Sequence, residues 1–299
     1  MTEVDSLPLA HAPPYRIPRL GLGVFENPHP EAAVLAALAA GYRHLDTAQV
    51  YRNEAGTGAA VSSFLAANPT VSRSDIYICT KLWEKPIVDG AILADRDTTF
   101  TRDGAVAGFQ QSLDALGPNI GYIDLYLLHT PRPGPTARLA AWLGLQEAVA
   151  SGKAHAIGVS NWSKAHIEQL LAHPEVTVTP AVNQIEFHPW CQQRALVEYC
   201  QAKGIVVVAY SPLARGVRLK DPVVGEVATK YGRTPAQVVL RWCLQRGVVI
   251  IPKSGREERI VENRGVWGWE LAAEDEERIT ALDEGIEARQ GEWDPDAWE

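Results

Sequence analysis

Four residues able to do acid chemistry close apolar runs in the first half of the chain or lie just beyond them. Asp46 closes YRHLD, Tyr51 follows five residues later, Lys81 closes IYICTK and His129 closes DLYLLH. A lysine ending an apolar run carries its ammonium into a partly desolvated place and needs a carboxylate to compensate it. Asp46, on the neighbouring run, is the nearest candidate. A charged lysine beside a phenol favours the phenolate, so Lys81 is expected to lower the Tyr51 pKa from about 10 towards the range of a general acid. His129 can donate or accept a hydrogen bond at the same spot. Taken singly, each is more commonly a strand-closing ion pair or a satisfied histidine. Four together at successive strand ends point to acid catalysis.

The elements that must position them read as a regular alternation. Apolar runs bounded by turn residues predict eight strands, at 21–25, 42–46, 76–81, 124–129, 156–160, 182–186, 206–210 and 248–252, each followed by a segment of helical periodicity. Gly41, Gly152, Gly204 and Gly247 fall between helix and strand, where a left-handed residue ends a helix. Thr234 and Pro235 form a helix start. Strands apolar on both faces fit an α/β fold of the (β/α)8 TIM-barrel type, as a single domain over 1–299 with a flexible extension over 1–15 and a C-terminal loop. An open doubly wound sheet is the alternative, but GLGVFENP carries only the first two glycines of a dinucleotide fingerprint.

Barrel chemistry sits at the C-terminal strand ends. That adds Ser160, Asn161, Gln184, Tyr210, Ser211, Lys253 and Ser254 to the candidates. Lys253, Ser254 and a following helix form an anion site, and a guanidinium fork such as Arg259 suits phosphate.

Composition narrows the function classes. With 299 residues and 46% apolar content the chain can bury a sizeable core, and its net charge of -8 is spread without a basic stripe. Nucleic acid is not an expected partner. The N-terminus has no basic start leading into an apolar run, and no apolar stretch reaches the roughly 18 residues of a membrane helix. A cytoplasmic, soluble protein, monomeric or weakly dimeric, is expected, with no membrane partner. Four scattered cysteines show no metal spacing and are expected to be reduced thiols.

The segments GYRHLDTAQVYRNE, TKLW, YIDLYLLH, GKAHAIGVSN, VNQIEFHP, AYSPLARG and IPKSGREERIVEN resemble, in order, the motifs of the aldo-keto reductase superfamily. The resemblance implies a barrel that binds NADPH and reduces small-molecule aldehydes or ketones, with Asp46, Tyr51, Lys81 and His129 as its catalytic tetrad. It further implies that Ser160, Asn161 and Gln184 hold the nicotinamide carboxamide and that Tyr210 stacks on the ring. Ser211 and Leu213 would contact the pyrophosphate, Lys253, Ser254 and Arg259 the 2′-phosphate, and Glu262 and Asn263 the adenine.

Two departures concern the substrate. Thr130 stands where many members carry a bulky aromatic residue, and the stretch from about residue 85 to 104 is unusually long, which suggests a flap over the rim. Phe25, Trp83 and Thr130 are the expected substrate walls, with Trp267, Trp269, Trp293 and Trp298 as weaker candidates. Two other functions compete. One is an NADPH-binding redox-sensing or regulatory module, which would have no need of Tyr51 beside Lys81. The other is a metal-dependent hydrolase using His44, Asp46 and His129, for which no further ligand ends a strand. His44 reads better as a packed barrel residue, and His188 as a loop-shaping one.

Overall fold

In the computed structural model, residues 5–88, 91–93, 98–291 and 294–298 are described. The chain opens with a hairpin of β1 (Ser6–Pro8) and β2 (Arg16–Pro18). Strands and helices then alternate through β3 (Leu22–Gly23), α1 (Glu31–Ala39), β4 (His44–Asp46), α2 (Glu54–Ala67) and β5 (Tyr77–Leu82). A second small hairpin, β6 (Ile87–Val88) and β7 (Ala91–Ile92), precedes α3 (Arg102–Leu116), β8 (Ile123–Leu128) and α4 (Pro135–Ala150). The chain continues with β9 (Ala154–Ser160), α5 (Lys164–Leu171), β10 (Val182–Glu186), α6 (Arg194–Ala202) and β11 (Val206–Tyr210). The last elements are α7 (Pro222–Tyr231), α8 (Pro235–Gln245), β12 (Val249–Ile250), α9 (Glu257–Arg264) and α10 (Ala273–Thr280).

Eight strands form one parallel sheet in the order β12-β11-β10-β9-β8-β5-β4-β3. Parallel bridges between Leu20 and Ile250 and between Gly23 and Lys253 join its two ends, so the sheet closes into the expected barrel. The seam leaves no room for side chains: a Cβ on Gly23 would lie 2.9 Å from the Ile251 carbonyl oxygen. Helix starts follow local chemistry. The Thr101, Asp221 and Thr234 side chains accept amide hydrogen bonds at the heads of α3, α7 and α8, and Gln237 completes a capping box with Thr234.

Two buried clusters divide the apolar residues. Tyr77, Cys79, Leu125, Leu127, Val208 and Val249 fill the barrel interior, while their strand neighbours Ile78, Tyr126, Leu128, Val207 and Ile250 pack outwards against the helices. Because successive strand residues face opposite sides, the inward positions continue into the rim. From Cys79 the next is Lys81; from Leu127, His129; from Val208, Tyr210. The fold therefore converts strand parity into a polar rim.

One expectation about loops is corrected. From Asp5 onwards the N-terminal segment is no loose extension, because β1 and β2 pair and Leu9 and Ile17 are buried in the interior cluster. Apolar burial at the barrel floor holds it. The long stretch after Trp83 folds back on itself, with Thr99 N–H and the Thr98 hydroxyl both donating to the Glu84 carbonyl. No helix among the described residues is long and apolar enough to cross a membrane.

Candidate active site

At the C-terminal rim the four tetrad candidates come together. Lys81 is fully buried, and its ammonium donates to Asp46 Oδ1 at 2.7 Å and to the Thr47 carbonyl at 2.8 Å. Gln184 Nε2 donates to the other Asp46 oxygen at 2.8 Å. Burial works against the Lys81 charge, but Asp46, Tyr51 and Cys79 outweigh it and raise its pKa above the ordinary lysine value. Lys81 also lies 5.1 Å from the centre of the Tyr51 ring, so its positive charge acts directly on the phenol.

The effect on Tyr51 differs from the expectation. Burial dominates and pushes the phenol up to about 12, while the charge of Lys81 pulls it back only in part. Tyr51 is therefore protonated at neutral pH, as a proton donor must be. Its ring meets His129 edge-on at 5.6 Å and Phe25 at 5.0 Å, and Trp83 meets His129 at 5.2 Å. Burial, then the positive charges of Lys81 and Arg132, hold the His129 pKa well below its ordinary value, so the imidazole is neutral.

A second network continues along the rim. The Tyr210 hydroxyl donates to Asn161 Oδ1 at 2.8 Å, Asn161 Nδ2 donates to the His129 carbonyl at 3.2 Å, and the Ser160 hydroxyl donates to the Gln184 carbonyl at 2.8 Å. Asn161 and Ser211 take left-handed backbone at φ 62° and 48°, turning the chain sharply just beyond β9 and β11. Both networks open on one cavity of about 900 Å³. It is lined by Asp46, Tyr51 and His129, by Phe25 and Trp83, and by all eleven expected cofactor positions, Ser160, Asn161, Gln184, Tyr210, Ser211, Leu213, Lys253, Ser254, Arg259, Glu262 and Asn263. Lys81 stands behind it, reaching the site through Asp46 and Tyr51. Lys253 and Arg259 face this space and make no ion pair among the described residues.

Several expected residues lie elsewhere. Thr130 is fully buried off the cavity, where its hydroxyl accepts from the Arg132 amide at 3.0 Å. The parity that turns His129 inwards turns Thr130 outwards. No described residue of 85–104 lines the cavity, and residues 89–90 and 94–97 of this stretch lie outside the described residues. Trp267 and Trp269 pack against the core, the Trp298 carbonyl accepts from His166 Nε2, and Trp293 lies outside the described residues. His44 is buried with Nδ1 at 3.0 Å from the Pro18 carbonyl, and among the described residues no group of three or more His, Cys, Asp or Glu could hold a metal ion. The sequence reading overlooked Thr47, whose carbonyl anchors Lys81, and Arg215, Thr234, Pro235 and Ala236, which line the cavity. The Thr234–Pro235 helix start was visible, but not that it faces the cavity.

The profile of the Aldo/keto reductase family matches residues 19–284. Glyoxal reductase of Bacillus subtilis is 39% identical over 269 residues, 89% of either chain. The 9,11-endoperoxide prostaglandin H2 reductase of Trypanosoma cruzi is 38% identical over 275 residues, 90% of this chain and 89% of its own. The crystal structure of an aldo/keto reductase from Brucella melitensis superposes with a TM-score of 0.82 at 36% identity, covering 94% of this chain and 100% of that one.

Proposed function

The chain belongs to the aldo/keto reductase family, and from that premise we propose that it reduces an aldehyde or ketone to an alcohol with NADPH, Tyr51 giving the proton. One observation carries the reading. A protonated phenol backed by the Lys81–Asp46 pair opens on the same cavity as two cations, Lys253 and Arg259, that have no carboxylate partner among the described residues.

The donor set fits the cofactor. Lys253, Ser254 and Arg259 would hold the 2′-phosphate, Glu262 and Asn263 the adenine, and Ser211 and Leu213 the pyrophosphate. Ser160, Asn161 and Gln184 would hold the carboxamide beside the Tyr210 ring. When bound, NADPH supplies the hydride that adds to the carbonyl carbon.

The protein's own residues do the rest. Tyr51 donates its proton to the carbonyl oxygen, a role typically worth about 10²–10⁴-fold in rate. Lys81 stabilises the phenolate left behind, and Asp46 keeps Lys81 charged and in place. Neutral His129 orients the carbonyl oxygen by hydrogen bonding, and Phe25 and Trp83 supply apolar walls beside it. Four unpaired, buried cysteines suit a reducing cytoplasm.

The test is a panel of aldehydes, ketones and diketones assayed by NADPH consumption, glyoxal among them because a relative bears its name. Turnover of at least one is expected. Tight NADPH binding with no turnover across the panel would overturn the enzymatic reading and leave a cofactor-binding module.

A further inference from the structure

Strand parity carries β10 one step beyond Gln184, to Glu186, which does not itself line the cavity. Glu186 is 1% exposed, and among the described residues no lysine or arginine pairs with it. Its carboxylate is held by N–H donors instead. Oε1 accepts from the Gln290 amide at 2.5 Å and from His188 Nε2 at 3.1 Å, and Oε2 accepts from the Gly291 amide at 2.9 Å. His188 Nδ1 accepts the Cys191 amide at 3.1 Å, which assigns the ring proton to Nε2 and fixes the imidazole as a donor to Glu186. Gly291 itself lines the cavity.

We propose that Glu186 is a positioning residue that latches the C-terminal segment to the barrel through the Gln290 and Gly291 amides, and so sets how tightly the carbonyl substrate is held. Approaching the latch, the segment is already tied to the loop after β10. The Glu284 amide donates to the Trp190 carbonyl at 2.9 Å, and the Gln192 amide donates to Asp283 Oδ1 at 3.2 Å. Glu186 extends this tether to Gly291, one of the residues that line the cavity. A carboxylate suits the task because both its oxygens accept, so each can take a backbone amide. A carboxamide of the same shape offers one acceptor and turns an N–H towards the other amide. The effect on substrate rests on the reductase reading; the latch itself does not.

The experiment separates the two. The bond that trypsin would cut after Arg289 contains the Gln290 N–H held by Glu186, so cleavage requires the latch to open. In the full chain, Glu186→Gln should speed cleavage at this bond by on the order of tenfold or more, leaving cleavage elsewhere unchanged, and Glu186→Asp should restore part of the protection. Unchanged cleavage in Glu186→Gln would overturn the latch even if no carbonyl substrate is ever turned over. With a substrate in hand, Glu186→Gln should raise its KM severalfold while kcat and NADPH affinity hold. Gly291→Pro, which deletes one amide but keeps Glu186, should also raise KM, and the two changes combined should add nothing further in KM. Additive KM effects, or a fall in kcat alone, would contradict the role. Should Glu186→Gln fail to fold, Gly291→Pro decides: unchanged cleavage after Arg289 together with unchanged KM would sink the proposal.

Discussion

Replacing Lys81 by methionine tests whether the buried ion pair beneath Tyr51 works as a unit. Methionine roughly preserves the side-chain volume, so packing strain stays small. It leaves the Asp46 carboxylate, 3% exposed, with only the Gln184 amide as a side-chain hydrogen-bond donor among the described residues. Removing one partner of a buried pair leaves an uncompensated charge and costs about 3–5 kcal/mol. Asp46→Asn creates the opposite fault, a buried ammonium with its carbonyl contact to Thr47 and no carboxylate. The double change removes both charges, so its loss of stability should fall short of the sum of the two single losses by about 2 kcal/mol or more. Urea unfolding of the four proteins, with m-values checked for constancy, measures this. Strictly additive losses would refute the pairing. All three variants should also lose turnover, since Lys81 is what opposes burial at the Tyr51 hydroxyl.

Turnover should be insensitive to pH between about 6 and 9 as far as Tyr51 and His129 govern it. Rising pH removes the Tyr51 proton only near about 12, and falling pH charges His129 only well below its ordinary range; a tenfold step in kcat within the window would contradict this. Thr130→Val removes a buried acceptor of the Arg132 amide and should cost about 1 kcal/mol in stability with KM unchanged. A severalfold rise in KM would return Thr130 to the substrate wall. Arg259→Ala should weaken NADPH by about 10–100-fold with little effect on NADH, and equal weakening of both by titration would remove Arg259 from the phosphate site.

Much of the site was legible because parity in a parallel barrel is a rule of the chain itself. The strands at 182–186 and 206–210 coincide with β10 and β11, since their apolar runs are continuous and bounded by turns. The outer strands shorten to the two residues of β3 and β12, because neighbouring pairs at the seam are single bridges that no local pattern marks. Thr130 and Glu186 were misjudged or missed although the alternation was on view: one residue past His129 faces outwards, and two past Gln184 faces inwards. The N-terminal hairpin hid behind its prolines, with Leu9 and Ile17 too far apart in sequence to read as a pair. The pKa of Tyr51 could not be read from types and spacing, since its sign depends on how deeply the rim buries the phenol relative to the pull of Lys81.

The most direct measurement compares turnover and NADPH affinity in Tyr51→Phe with those of the unaltered protein. The phenol supplies only a proton, so the account predicts a fall in kcat of about 10²–10⁴-fold with the NADPH Kd nearly unchanged. Turnover close to that of the unaltered protein would show that another group gives the proton, and the reading of the Asp46, Tyr51, Lys81 and His129 cluster would fail with it.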